Sequence, residues 1–352
     1  MAKLVEIISL GGQPPAAART EQADWLNGEA LANMIIEKRT SRIKGVVGGP
    51  GTHMMASDPK AGKSRFGLEC CYAVTTGTPL LGRFEVVAPA PALYWQADDT
   101  NLARFVSNYQ NLLHSMNGGR PLPNFEALTK RMTLIEDYGL QMLEDRIRVT
   151  GAGLAVVDCL QAVRGTRTRD FVGQEFGESR LLSEVGTRTG CSVLLLHHNA
   201  SGRRASSVNP FLGAAGTFAL NAGVDGLLSM GVYSTTRTER VVSVSGRDFD
   251  AGIFVYARDE DGRLFLVARG SLAEVWEEAL RLYRAIPGST FGGKDVGEAT
   301  GTSDRNGRAK LARLRAAGAV EDLSERRFTW SNAFTEMAQR VIRANAGMEA
   351  TA

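Results

Sequence analysis

The run Ser57-Asp58-Pro59-Lys60-Ala61-Gly62-Lys63-Ser64, with Arg65 next, has residue types suited to holding a polyphosphate. A glycine-bearing turn lets backbone N–H groups curl around phosphate oxygens, a lysine reaches the terminal phosphates, and a hydroxyl coordinates Mg²⁺. Gly62, Lys63 and Ser64 stand in that order between a strand-length apolar run, His53–Ala56, and a helical run, Arg65–Val74. Ser57 occupies a position where such loops carry glycine. Nucleotide binding through residues 57–65 is expected.

Three more apolar runs end in polar groups able to complete such a site. Leu154–Val157 is followed by Asp158, a Walker B pattern whose carboxylate, with Ser64, can hold the metal and its water. The plainer role for Asp158 is to cap the next turn. Ala92–Gln96 is followed by Ala97-Asp98-Asp99. A carboxylate there can orient or deprotonate an attacking water, or simply face solvent in a turn. Ser192–Leu196 leads into His197-His198-Asn199. Neighbours on a strand point to opposite faces, so the two histidines make a poor metal pair. One of them, with His197 the candidate, can sense the terminal phosphate; a structural hydrogen bond is the other reading. The polar stretch 200–216 then carries Arg203 and Arg204 among Ser and Asn. It suits contacts to a nucleic-acid backbone, or is a surface loop.

These groups need a scaffold that brings strand ends together. Between Val46 and about Ala268, short apolar runs alternate with helical segments, and Gly226–Met230 is the fifth such run. Near-continuous apolar strands separated by helices imply a mainly parallel sheet covered on both faces. Arg240–Ser245 and Ile253–Ala257 read as an antiparallel hairpin at one edge, and Leu264–Val267 as a last strand. Ahead of the core, residues 1–45 form an arm with a helix at Trp25–Lys38. Beyond Gly270 the pattern changes to helices at Ser271–Ile286 (with Ser271 as its cap), Lys294–Ala299 and Ser303–Ala317, with two short strands within Val320–Trp330 around a turn at Leu323–Glu325. That arithmetic matches a winged helix at 271–331, with a helical tail over 332–352.

Composition narrows the class. Hydrophobic residues are 43% and charged residues 22% of 352, enough for a sizeable core. No stretch approaches the roughly 18 to 20 consecutive apolar residues of a membrane span. The N-terminus lacks the pattern of a secretory signal, and Cys70, Cys71, Cys159 and Cys191 have no CxxC spacing. Reduced thiols in a cytoplasmic protein are expected. Net charge is only +3, but ten basic residues face six acidic ones between Arg281 and Trp330. Arg305, Arg308, Lys310, Arg313 and Arg315 all fall on Ser303–Ala317, the segment in the recognition-helix position. A winged helix uses this helix on DNA, or docks protein with it.

The order PKAGKS, ADD, VVDCL, LLLHH, basic loop, GAAGTFALNAGVDG and an arginine-bearing hairpin resembles the RecA-like P-loop ATPases of the RepA/DnaB hexameric helicase kind, related to KaiC and RadA. The resemblance spans roughly residues 45–270. It implies an α/β, RecA-like three-layer core with ATP and Mg²⁺ as cofactors. By the same resemblance Lys63 matches the phosphate lysine, Ser64 and Asp158 the metal set, Asp98 (or Asp99) the catalytic carboxylate in shortened form, and His197 or His198 the sensor. Arg247 in VSVSGRDF matches the finger that relatives insert into a neighbouring subunit's site; an edge-strand arginine paired with Asp248 or Asp250 is the alternative. The expected function is an oligomeric, DNA-dependent ATPase, a replicative or recombination helicase acting as a hexameric ring on single-stranded DNA, with duplex DNA a second target through the winged helix and no membrane partner. A recombination or annealing ATPase and a nucleotide-gated regulator are the rivals.

Overall fold

The computed structural model describes residues 39–97, 102–166, 168–199, 218–232, 237–288, 290–324 and 326–349. The helix expected at Trp25–Lys38 lies outside them. The core opens with β1 (Gly51–Ser57), which runs through the phosphate-type loop into α1 (Lys63–Thr76). Then come β2 (Ala92–Gln96), α2 (Leu102–Asn117), β3 (Phe125–Leu128), α3 (Gly139–Thr150) and β4 (Leu154–Asp158). A short α4 (Leu160–Val163) and the long α5 (Phe171–Thr189) precede β5 (Ser192–His198), α6 (Phe218–Ala222) and β6 (Gly226–Val232). Three strands close the sheet: β7 (Arg240–Gly246), β8 (Gly252–Arg258) and β9 (Leu264–Arg269).

Among the described residues these strands form one nine-stranded sheet, ordered β3-β2-β4-β5-β1-β6-β7-β8-β9. From β3 to β6 every pairing is parallel; β6-β7, β7-β8 and β8-β9 are antiparallel. This is the mainly parallel α/β sheet with an antiparallel edge that the sequence pattern implies. Every residue of β1, β2 and β4 is buried, because helices cover both faces, and a strand buried on both sides reads as an apolar run without alternation. Helix α1 packs on β2, β4 and β5, and α5 on β1 and β5. Val156, Leu194, Leu195, Phe66 and Leu68 belong to the resulting core.

Two local readings are corrected. The edge strand β3 was not expected: its sequence, Phe-Glu-Ala-Leu, is short and half-exposed and offers no apolar run. Ser271 does not cap its helix; Gly270, at φ 58°, takes that place without a side-chain bond, and Ser271 is the first helical residue of α7 (Ser271–Ala285).

The C-terminal elements are α8 (Gly293–Ala299), α9 (Asp304–Ala316), the antiparallel pair β10 (Val320–Ser324) and β11 (Arg327–Trp330), and α10 (Asn332–Glu349). Helix α9 begins at Ser303, whose side chain accepts the Asn306 N–H. Its Gly307 lies against α8 so closely that a Cβ there would stand 2.0 Å from the Gly293 carbonyl oxygen. A second hydrophobic cluster joins these elements to the sheet: Val255, Ala257, Phe265 and Val267 from β8 and β9 pack with Trp276, Leu280, Leu311, Leu314, Trp330 and Phe334. No helix among the described residues is long and apolar enough to cross a membrane.

Candidate nucleotide site

Strand register fixes which side chains can meet. Ser57 at the end of β1 pairs with His198 on β5 and Met230 on β6, while Asp158 ends β4 beside Leu196. The polar ends of three adjacent parallel strands therefore share the carboxyl edge of the sheet, where ligands bind in open α/β folds. Between Ser57 and α1 the chain turns through Lys60 at φ 63° and Gly62 at φ 106°. Those left-handed conformations favour residues without a Cβ, and Gly62 supplies one where the helix begins. The first N–H groups of α1 have no acceptor within the helix and point toward this turn, which is what suits it to anionic oxygens.

Lys63, in the first turn of α1, is nearly fully buried. Its ammonium lies 3.1 Å from Ser57 Oγ, 3.3 Å from Ser57 O, 3.2 Å from Asp58 O and 3.3 Å from His198 Nδ1. A buried cation ringed by oxygens it can exchange for phosphate oxygens fits a nucleoside triphosphate. Here Ser57 takes part: its hydroxyl is an acceptor of the lysine, a contact a glycine could not make. Asn199 closes the loop from the β5 side. Its N–H donates to Ser57 O at 2.9 Å and its Nδ2 to Asp58 Oδ1 at 2.9 Å.

Asp158 is 4% exposed and accepts a 2.7 Å hydrogen bond from Tyr94 Oη on β2. The same hydroxyl lies 3.4 Å from the Ser64 carbonyl oxygen. Burial, and next the Asp158 charge, push the Tyr94 phenol well above its ordinary range, so it remains a donor. Ser64 and Asp158 fit an Mg²⁺ ion that takes its remaining ligands from phosphates and water. Mg²⁺ when bound would neutralise charge on the phosphates; Ser64 and Asp158 would hold it, with Tyr94 orienting the Asp158 carboxylate.

The structure redistributes several expectations. His198, not His197, faces Lys63. His197 pairs with Ala56 one row lower, is fully buried, and by strand alternation points to the other sheet face. Arg65 leaves the phosphate turn: it pairs with Glu69 at 3.0 Å and donates to Gly262 O at 2.9 Å in the β8-β9 connection. Glu69, deeply buried, is pushed up to about 7 by desolvation, against the opposing pull of Arg65. Pro59 and Lys60 are exposed at the tip of the turn, and Ala61 is buried beneath it. Asp98, Asp99, Arg203 and Arg204 lie outside the described residues.

Arg247 sits at the far edge. It follows Gly246, which pairs with Gly226, which pairs with His53 at the start of β1. Its Nη1 lies 3.2 Å from Asp225 Oδ1. Neither Asp248 nor Asp250 is that partner. On α9, Arg308 pairs with Asp304, Lys310 and Arg313 with Glu278 at 3.8 and 2.7 Å, and Arg315 with Asp322, leaving Arg305 exposed.

Two groups at the site escaped the sequence reading. Tyr94 carried a usable signal, since a buried tyrosine near a strand end must find its hydroxyl a partner. Arg240, first residue of β7, donates from Nε to the Ala61 carbonyl at 2.6 Å and from Nη1 to the Arg237 and Glu239 carbonyls. Burial lowers its pKa below that of a solvated arginine. Nothing local in RVVSVSG marks it.

The parallel sheet, the glycine-turned loop before α1 and the buried lysine with Asp158 alongside define a P-loop nucleotide site on a RecA-like core. The family model described as an AAA domain matches residues 16–204, more than half the chain, and the protein belongs to that family of P-loop ATPases. No curated protein matches the chain.

Proposed function

We propose that the protein is an oligomeric, DNA-dependent ATPase of the helicase type, hydrolysing ATP at sites completed between copies. The observation that carries this reading is the separation of Lys63 and Arg247 to opposite edges of one sheet. From the row of His53 and Gly226 to that of Ser57, β1 rises about 13 Å. Arg247 is therefore out of reach of its own P-loop, and would instead supply the cation for charge developing on the phosphoryl group transferred in a neighbour's site. Asp98, or Asp99 beside it, would activate the water, and His198 would read the terminal phosphate next to Lys63. Arg203 and Arg204 would pass that state to single-stranded DNA in a ring, six-membered on the resemblance.

Residues 271–331 fit a winged helix, in which α8 and α9 form a helix-turn-helix and β10-β11 the wing. Arg305, Arg308, Lys310 and Arg313 are the side chains it would offer to a duplex. One observation favours the rival reading of this module. Four of the five basic groups on α9 are already paired with carboxylates, a surface better suited to docking protein than to neutralising phosphates, which makes a nucleotide-gated regulator the second proposal.

The test is ATP turnover with and without single-stranded DNA, together with displacement of a labelled strand. A motor shows both, and Lys63→Ala abolishes both. If single strands leave the rate unchanged while residues 281–330 bind a protein partner or duplex DNA in a nucleotide-dependent way, the motor reading fails and the regulator stands. Stimulated turnover without displacement identifies a recombination or annealing ATPase.

A further inference from the structure

Asp225, between α6 and β6, is a buried carboxylate with its side chain 3% exposed, yet four donors converge on it. The Thr52 N–H donates to Oδ2 at 3.0 Å, and the Ser183 hydroxyl donates to the same oxygen. Arg39 Nη1 at 3.3 Å and Arg247 Nη1 at 3.2 Å both meet Oδ1. The backbone is pinned as well, with the Asp225 N–H donating to Thr52 O at 2.7 Å and the Arg247 N–H to Asp225 O at 2.9 Å. Gly51, at φ 135°, permits this approach, because a Cβ there would stand 2.3 Å from Asp225 Oδ2. The carboxylate is thus a fixed post, and two guanidinium groups are held side by side on it.

Both arginines open onto solvent, Arg39 with 43% and Arg247 with 66% of its side chain exposed. They line a cleft of about 390 Å³ with Phe176, Arg180, Glu184 and Arg188. The other two arginines are committed elsewhere: Arg180 to Glu184 at 3.0 Å, Arg188 to Glu144 at 2.7 Å. Asp248 accepts the Gly49 N–H and is not among the residues lining the cleft. Arg39 and Arg247 share the Asp225 carboxylate, and the part of each guanidinium that is exposed carries further N–H groups in the planar fork that matches phosphate oxygens.

We infer that Arg39 joins Arg247 in a two-arginine phosphate clamp, with Asp225 as its positioning residue, and that the clamp receives the terminal phosphates of a nucleoside triphosphate held in the P-loop of a second copy. The inference rests on the proposal that sites are completed between copies, and adds a second residue contributed in trans. Protein rather than nucleic acid is the source of the phosphate because Val172 and Phe176 stand exposed on α5, Phe176 in the cleft itself, and the carboxylate of Glu184 lines it. An apolar edge beside a charged anchor suits a protein interface.

The experiment uses the full-length chain in mixed assemblies. Arg39→Ala and Arg247→Ala are each assayed for ATP turnover alone, then with Lys63→Ala subunits, whose own P-loop is dead but whose clamp is intact. Arg39→Ala is expected to lower kcat roughly tenfold or more with KM for ATP within about twofold, and mixing with Lys63→Ala is expected to restore turnover. Arg39→Lys, which keeps the charge, should recover part of the loss; the thermal midpoint of each variant separates this from misfolding. If Arg247→Ala is impaired and rescued while Arg39→Ala turns over normally, the clamp is wrong and the between-copies reading survives. If Arg39→Ala is slow and not rescued while Arg247→Ala is rescued, Arg39 acts within its own chain and the clamp is again wrong. Failure of both to be rescued, with assembly intact, overturns the between-copies reading itself. Normal turnover with weakened binding of a fluorescent single-stranded oligonucleotide would assign the cleft to nucleic acid and overturn the inference.

Discussion

Two residues buried near the nucleotide edge give predictions that depend on single atoms. Removing the Tyr94 hydroxyl takes a donor from the buried Asp158 carboxylate, a hydrogen bond to a charged group worth about 1.5–3 kcal/mol. Tyr94→Phe should therefore destabilise the fold by about that amount and shift the Mg²⁺ concentration needed for half-maximal turnover; an unchanged Mg²⁺ titration would show that the phenol does not position the metal set. Glu69 gives a pH effect of known sign. Its ordinary pKa of 4.5 is raised to about 7 in the folded chain, so between those values the folded state holds a proton that the unfolded state has released. Stability from this group is present below about pH 4.5 and is lost as pH rises through about 7, on the order of 3 kcal/mol in all. His53, whose pKa burial lowers, acts oppositely below its ordinary 6.5. The difference between the wild type and Glu69→Gln in thermal unfolding across pH 4.5–7.5 isolates the Glu69 part. A difference that does not change with pH would refute it.

Among the elements, the close crossing of α8 and α9 is the most sensitive to a single methyl group. At Gly307 a Cβ would meet the Gly293 carbonyl oxygen at 2.0 Å and the Gly297 nitrogen at 2.8 Å, all backbone that cannot swing aside. Gly307→Ala should push the helices apart and cost about 1–3 kcal/mol as overpacking. Leu311 and Leu314 reach the second hydrophobic cluster from α9, so hydrogen exchange should speed up first in α8, α9 and the β10-β11 pair, while β1 and β5 keep their protection. Uniform loss of protection would mean that the two clusters unfold as one. Strand elements β1, β2, β4 and β5 were legible because double burial leaves continuous apolar runs; β3 was not, since an edge strand with half-exposed residues has no such run.

Across the whole molecule, the C-terminal helix is tied to the phosphate loop by a chain of hydrogen bonds. Asn345 on α10 accepts the Thr238 N–H at 2.8 Å and donates to Glu239 Oε2 at 3.0 Å. Arg240, next in sequence, holds the Ala61 carbonyl of the loop. Arg340 reinforces the same docking through Asp259 and over the Phe265 ring. Arg240→Gln should raise KM for ATP by about 10-fold or more, the worth of one charge-assisted hydrogen bond at the loop. Asn345→Ala should shift KM the same way by less. An Asn345→Ala enzyme that loses thermal stability but keeps its KM would show that α10 braces the fold without reaching the loop.

The sequence alone determined the class of this protein. Spacing in SDPKAGKS, the apolar run ending at Asp158 and the alternation of strand and helix are local properties of the chain, and they suffice for a mainly parallel sheet with a phosphate loop at its carboxyl edge. Which side chains meet there was decided only by the tertiary structure. Register put His198 rather than His197 beside Lys63, because a one-residue step on a strand exchanges its faces. Sheet order brought Tyr94 to Asp158 and Arg240 to Ala61 across long stretches of sequence, and an antiparallel strand carried Arg247 to the far edge, onto Asp225 beside Arg39. Contacts between residues distant in sequence follow from pairing and packing of whole elements, which no short motif encodes.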